Sequence, residues 1–427
     1  MSCLKMVVGW MVLVGLLVGG SAAESVPPQD LARQWQSALL RMPGGQGMRS
    51  SLCLCDEAGQ TVVEWDADGL MLPASTLKVA TAVGILEQGG GSQSLTTRLQ
   101  LSGQRLRWMG DYDPELTSGD LEDLTLQLLP KLSGKVQLEV AAPDSEPYPP
   151  GWSWDDLSSS FAPPIGRLVF DHGLIPMKLL AGQQLRVAGP PWAPPGGLNF
   201  LPREGEFEML VLPGWENWVM AGQIPAGVEE AVTVPMLRPE LAAARLLSEV
   251  LRRQGVEVEV VEPAALGGPT LEVSHRSRPV EQILAQGLAD SDNLVLECLY
   301  RRFGKALPRC WVGSTQRVVD GCGLSRYNLV STRQLLQLLQ VHPQVVRLLP
   351  RAGQEGTLRK RFQGTALQSE MRAKTGTMSG VSGLVGEFPG ATGKRYRFAL
   401  LLQGYVGSSL AFKKAEEDLL VRLAQIL

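Results

Sequence analysis

Apolar and polar positions alternate along Ser51–Cys55 and again along Thr61–Trp65, with a turn at Ala58-Gly59 between them. That period of two predicts a β-hairpin. A helix is predicted before it, over Leu31–Leu40. After it, Asp66–Pro73 reads as a loop leading to Ser75, and Leu77–Glu87 as a helix stopped by Gly89-Gly90-Gly91. Toward the other end, Pro279–Gly287 and Leu294–Phe303 predict two helices, with Ser291-Asp292-Asn293 on the loop that joins them. Arg372–Met378, Gly383–Phe388 and Tyr396–Gln403 alternate like strands of one antiparallel sheet, and Phe412–Leu427 closes the chain as an amphipathic helix.

The middle has a different texture. Between Leu95 and Val273 prolines and tryptophans are frequent, β-like runs are short and helices are few, Pro239–Gly255 being the main exception. This predicts a β-rich module over 96–273 that splits one domain into a first part, 24–95, and a second, 274–427. The N-terminus adds a third texture. Lys5, the apolar run Met6–Gly20 and the small residues Ser21-Ala22-Ala23 have the order of a secretory signal over 1–23, cut after Ala23. An apolar helix of that length reaches roughly 22 Å, short of a ~30 Å hydrocarbon core. The expectation is an exported, periplasmic or extracytoplasmic protein whose mature chain has no transmembrane segment.

Composition narrows the chemistry. A chain of 427 residues with a formal net charge of −3 and scattered basic residues gives no footprint for nucleic acid, so a small molecule, peptide or polymer is the expected partner. Six cysteines, Cys3, Cys53, Cys55, Cys298, Cys310 and Cys322, have no framework spacing, and Cys53 and Cys55 are expected to pack on one strand face rather than bond. The three histidines, His172, His275 and His342, lack ligand spacing, so neither a metal nor another cofactor is expected.

Three short motifs carry the chemistry. Ser75-Thr76-Leu77-Lys78 places a serine at a helix start, where free N–H groups favour developing negative charge, and a lysine three residues on along the same face. A desolvated lysine can take the serine proton and make it a nucleophile. Context is essential, because Ser2-Cys3-Leu4-Lys5 repeats the spacing inside the signal, where it can do nothing. Ser291 can relay a proton to a leaving amine, and the amide of Asn293 can hold both the lysine and a substrate carbonyl. On the edge strand, Lys374 and Thr375 suit a carboxylate and Gly376 admits substrate backbone alongside. The N–H groups of Thr377 and Ser75 are candidates for an oxyanion hole.

In this order the motifs resemble those of penicillin-binding proteins and class A β-lactamases. With Leu72-Pro73-Ala74-Ser75, Gly110-Asp111 through Asp113-Pro114, Gly151-Trp152-Ser153-Trp154-Asp155-Asp156, Asp320-Gly321-Cys322-Gly323-Leu324-Ser325-Arg326 and Leu349-Pro350 through Gly356, the chain resembles the D-alanyl-D-alanine carboxypeptidase/endopeptidases of the penicillin-binding protein 4 type. The resemblance implies an α+β fold: a transpeptidase-like domain with an antiparallel sheet flanked by helices, split by a β-rich domain that carries a nested third domain at about 170–235. The long interval between Lys78 and Ser291 fits that arrangement.

The resemblance implies that Ser75 is the acylated nucleophile, Lys78 its base, and Ser291, Asn293 and Lys374 the remaining catalytic groups. Thr375, Gly376 and Thr377 would bind the substrate carboxylate and oxyanion. Arg326, Met378 and an acidic residue, matched here by Glu139, would hold the side chain of the stem peptide. It further implies release of terminal D-alanine from peptidoglycan peptides, cleavage of D-alanyl cross-links, and covalent trapping by β-lactam antibiotics. Three departures lie near that expected side-chain pocket: Cys322 replaces serine, Glu139 replaces aspartate, and the interval Phe303–Asp320 is short. A β-lactamase and a wall-binding scaffold with a vestigial site are the alternatives.

Overall fold

The computed structural model describes residues 26–427 apart from 141–143, 181–185, 194–197, 203–207, 212–217, 223–228, 263–267 and 269–270. The signal expected over 1–23 lies outside the described residues. The chain opens with α1 (Pro28–Arg41), the hairpin β1 (Arg49–Cys55) and β2 (Thr61–Trp65), and a 3-10 turn, Ala74–Leu77, that runs directly into α2 (Lys78–Glu87). It continues through β3 (Ser94–Ser102), β4 (Arg105–Met109), α3 (Ser118–Leu128) and β5 (Lys135–Glu139). Six short strands follow: β6 (Leu174–Leu180), β7 (Arg186–Ala188), β8 (Leu198–Pro202), β9 (Glu208–Val211), β10 (Trp218–Gly222) and β11 (Glu229–Pro235). Then come α4 (Pro239–Arg253), β12 (Glu257–Val261), β13 (Leu271–Pro279), α5 (Val280–Asp290), α6 (Asn293–Arg302) and α7 (Thr332–Val341). The chain ends with β14 (Arg372–Met378), β15 (Val381–Pro389), β16 (Arg395–Gln403) and α8 (Ser409–Ile426).

The two ends of the chain build one antiparallel sheet in the order β14-β15-β16-β1-β2. Alternation along β16 shows how it is covered on both faces. Phe398, Leu400 and Leu402 pack with Leu31 and Leu39 of α1 and Phe412, Leu419 and Leu423 of α8. Ala399 and Leu401 between them face the core of α2, α5, α6 and α7, with Val79, Val83, Leu284, Leu299 and Leu335. Burying a leucine side chain is worth about 1.5–3 kcal/mol, so two such cores hold the sheet firmly. The predicted mixed fold, an antiparallel sheet between helical layers, is what the molecule has.

A second five-stranded sheet, β12-β5-β4-β3-β13, is mixed, with β5 parallel to both β4 and β12. It packs against α3 and α4 through Leu121, Leu124, Leu128, Leu247 and Leu251. Helix α3 departs from the expectation of a region with one main helix. A capping box joins Thr117 and Asp120 at its start, yet Gly119 in its first turn weakens the helical signal. The short strands form two three-stranded sheets, β11-β6-β7 and β8-β10-β9. The segment containing Trp152, Leu157, Ala162, Ile165 and Val169 joins the helical core beside the first sheet.

Candidate active site

Ser75 sits on the 3-10 turn before α2, and Lys78 opens that helix. Their side chains meet as the spacing predicts: Lys78 Nζ lies 2.9 Å from Ser75 Oγ. The same nitrogen is 2.7 Å from Asn293 Oδ1, which is 215 positions away in sequence, and 2.5 Å from the carbonyl oxygen of Cys322. Asn293 Nδ2 donates to the carbonyl of Phe161 at 2.9 Å, which fixes the amide with its oxygen toward the lysine.

Lys78 is fully buried, and loss of hydration lowers its ammonium from the ordinary lysine value of 10.5. The carboxylates of Asp320, Asp292 and Glu297 act in the opposite sense from a distance. The contacts decide what the amine does once it has lost its extra proton. It has two N–H donors, and both Asn293 Oδ1 and Cys322 O are obligate acceptors. Its lone pair is left facing Ser75 Oγ, the geometry of a base poised over a hydroxyl.

Lys374 comes from the middle of β14, the strand at the edge of the sheet. It is fully buried and donates to Ser291 Oγ at 2.8 Å and to the carbonyl of Thr375 at 2.9 Å. Burial, then repulsion from Lys78, drives its ammonium far down. Among the described residues no carboxylate is bonded to it. Ser291 is at φ 61, the left-handed conformation that ends α5 and turns its hydroxyl into the site.

Gly376 brings the strand and the turn of Ser75 together. A Cβ there would stand 2.8 Å from the carbonyl oxygen of Pro73 and 3.1 Å from the amide nitrogen of Thr76, so only hydrogen fits between strand and turn. Thr377 is exposed on the cleft side and Met378 half-buried beside it. Thr375 Oγ1 donates to Thr357 Oγ1 at 2.7 Å. No motif pointed to Thr357; its only sequence signal is the Leu349–Gly356 stretch just before it.

Asp320, the first residue of the Asp320–Arg326 motif, is a hub. Its buried carboxylate accepts from Trp152 Nε1 at 2.8 Å, Gly323 N at 2.8 Å, Ser325 N at 2.7 Å and Asn328 Nδ2 at 2.8 Å. That fixes the loop whose Cys322 carbonyl receives Lys78. Gly323, at φ 81, lies so close to the nucleophile turn that a Cβ would meet the carbonyl oxygen of Ala74 at 2.0 Å. Glu297 supports the loop by accepting from Gly321 N at 2.6 Å, and its own burial pushes its carboxyl up to about 7.

The residues expected to hold the substrate side chain are not all brought together. Exposed Arg326 donates through Nε to Ser153 Oγ at 3.0 Å, and its charge reaches Asp156, so it belongs to the rim formed by the Trp-rich loop. Glu139 does not join it. Its carboxylate is paired with Arg105 at 3.2 Å and Arg107 at 2.5 Å on the second sheet, because the parallel register sets Arg107 opposite Glu139. Cys322 is also displaced from expectation. It is buried beneath Lys78, its thiol 3.5 Å from Asp320 Oδ2, rather than in the side-chain pocket. The short interval 303–320 carries only a 3-10 turn, Arg309–Trp311.

The family model described as "D-Ala-D-Ala carboxypeptidase 3 (S13) family" matches residues 55–426. A D-alanyl-D-alanine carboxypeptidase of Actinomadura sp. (strain R39) is 28% identical, the alignment covering 91% of this chain and 83% of that protein. The D-alanyl-D-alanine carboxypeptidase DacB of Haemophilus influenzae is 24% identical over 83% of this chain and 85% of its own. The crystal structure of penicillin-binding protein 4 (dacB) from Haemophilus influenzae has the same fold, with a TM-score of 0.81, 22% identity and coverage of 91% and 99%.

Proposed function

The chain belongs to the D-Ala-D-Ala carboxypeptidase 3 (S13) family, and on that premise we propose that it cleaves the D-Ala-D-Ala bond of peptidoglycan stem peptides through an acyl-enzyme on Ser75. The observation that carries this reading is the single lysine nitrogen shared by Ser75 Oγ, Asn293 Oδ1 and Cys322 O. Neutral Lys78 takes the proton of Ser75 as Oγ attacks the carbonyl of the penultimate D-alanine. The N–H groups of Ser75 and Thr377 stabilise the oxyanion, a contribution of roughly 3–4 kcal/mol per donor in comparable sites. The proton passes by way of Ser291 and Lys374 to the leaving amine. Water then attacks the ester, and the serine is released.

Lys374, buried without a carboxylate partner among the described residues, takes up a proton as the C-terminal carboxylate of the substrate binds beside it and pairs with that carboxylate, with Thr375 and Thr377 as hydroxyl donors. Arg326 and Met378 flank the stem-peptide side chain. When the leaving group is a neighbouring stem peptide rather than free D-alanine, the same steps open a cross-link. A β-lactam offers an amide of the same kind and acylates Ser75; the Haemophilus protein has a solved structure complexed with a β-lactam. The substrate places the protein outside the cytoplasm, in keeping with the signal expected over 1–23. No helix among the described residues is long and apolar enough to cross a membrane.

Intact-protein mass after brief exposure to benzylpenicillin tests this. One penicilloyl mass on the wild type and none on a folded Ser75→Ala is the expected result, together with loss of D-alanine release by the variant. An adduct on Ser75→Ala would overturn the assignment. Rapid consumption of the antibiotic without an adduct would make the protein a β-lactamase.

A further inference from the structure

His172 lies outside the motif set and touches it. Its Nε2 is 2.9 Å from Oδ2 of Asp292, which is 120 positions away. Asp292 is the middle residue of the triplet whose Ser291 receives Lys374 and whose Asn293 receives Lys78. Its other oxygen, Oδ1, accepts from Val295 N at 2.9 Å and caps α6. The carboxylate is therefore gripped at both ends, by a helix N-terminus and by an imidazole. Since a carboxylate only accepts, Nε2 carries the proton in this contact.

The turn that presents the ring is strained. Asp171 and His172 stand at φ 47 and φ 58, a left-handed conformation that is costly for a residue with a side chain. It persists because its surroundings over-determine it. Asp171 N donates to Leu116 O at 2.9 Å, Ser118 N to Asp171 Oδ1 at 2.9 Å, and Met236 N to Gly173 O at 2.7 Å. Across the contact, Ser291 holds the same left-handed conformation, and Asp292 N closes its loop onto Gly287 O at 2.9 Å. Two strained turns, one on each side of the cleft, meet through a single side-chain bond.

The charges around the ring are negative. Asp292 faces it directly, with Glu115 from the loop before α3 and Asp290 from the end of α5 farther off. Glu115 is itself paired with Arg278, whose Nε donates at 3.0 Å. The bond to Asp292, opposed by partial burial and helped by those carboxylates, raises the imidazolium above its ordinary 6.5. Asp292 in turn favours the protonated form of Lys78, so a cation at His172 offsets a charge that works against the base.

We propose that His172 is a positioning residue of this site: through Asp292 it holds the Ser291–Asn293 loop in register with Lys78 and Lys374, and it shields Lys78 from the Asp292 carboxylate. The proposal rests on the acyl-enzyme reading above. The sign of its pH dependence follows. The ion pair is complete while His172 is protonated, and weakens as pH rises through a folded value above 6.5, where neutral imidazole still donates but no longer offsets charge.

The test is the rate of benzylpenicillin acylation and of D-alanine release, across the neutral pH range, for the full chain and two variants. His172→Gln keeps a donor without charge, and His172→Lys keeps the charge. His172→Gln should lower kcat about tenfold, the scale of one charge-assisted hydrogen bond, with little change in KM, and should lose the histidine step from the pH profile. His172→Lys should recover most of the rate, with a profile flat through that step. Wild-type rates and an unchanged profile in His172→Gln would overturn the proposal, as would equal impairment of both variants with a lowered melting temperature. Ser75→Ala runs alongside: its reaction with penicillin would sink the acyl-enzyme reading itself, whatever the histidine variants do.

Discussion

Two lysines stripped of water within one cleft define the chemistry at the scale of the residue. A group whose folded pKa lies below its unfolded value binds more protons when unfolded, so its contribution to stability grows as pH rises toward 10.5 and is unfavourable at neutral pH. Both Lys78 and Lys374 therefore weaken the fold at the pH where the enzyme works. Lys374→Met keeps the length and apolar stem, and removes the buried charge together with its repulsion of Lys78. The expected outcome is a melting temperature at neutral pH no lower than that of the wild type, with kcat/KM for an acyl-D-Ala-D-Ala peptide reduced about 10²–10⁴-fold. Thermal melts and steady-state kinetics check the two halves separately. A clear loss of stability would mean that Lys374 is a structural cation, contrary to the role proposed for it.

At the scale of the element, the 320–328 loop matters as much as the turn that carries Ser75. Ala74 holds an uncommon φ of 46, and Gly323 fits against its carbonyl with no room for a methyl group. Gly323→Ala combines that clash with a φ of 81, which alanine rarely adopts. The nucleophile turn must move to admit it. Penicillin acylation should fall at least ~100-fold, since a displacement of about 1 Å at a reacting group has that scale, while far-ultraviolet circular dichroism stays native. Acylation at the wild-type rate would show that the loop does not set the position of Ser75. Why some of this site was legible in sequence, and some not, has the same local origin. Ser75 and Lys78 are neighbours on one helical face by spacing alone, and the three strands after Arg372 declare themselves by alternation. Glu139 matches the acidic position the resemblance implies, but its partners come from the register of β4 against β5, which no spacing reveals. Helix α3 was hidden by Gly119, and Thr357 and the carbonyl of Cys322 act through atoms that no motif advertises.

For the whole molecule, the segment that wanders through the second sheet returns to build part of the cleft. Phe161 orients Asn293, His172 grips Asp292, Ser325 Oγ donates to Pro150 O at 2.6 Å, and Trp152 reaches Asp320. The Trp152–Asp320 bond is buried at both ends and spans 168 positions, so it can be isolated as the coupling between the two parts. Trp152→Phe removes the N–H and leaves the carboxylate with its donors from Gly323, Ser325, Asn328 and the Cys322 thiol. Asp320→Asn leaves an acceptor for the indole but places an NH2 where backbone donors now point. Each should cost about 1–3 kcal/mol, the penalty for disturbing a buried polar group bonded to a charge. If the two residues act through their shared bond, the double variant will cost less than the sum, with a coupling of roughly 0.5–3 kcal/mol by denaturant melts. Acylation by penicillin should show the same non-additivity, since the bond reaches Lys78 through the loop that Asp320 holds. Strict additivity in both readouts would mean that the Trp-rich loop and the loop beneath the nucleophile are independent supports, and that the second sheet contributes to the cleft by enclosing it alone.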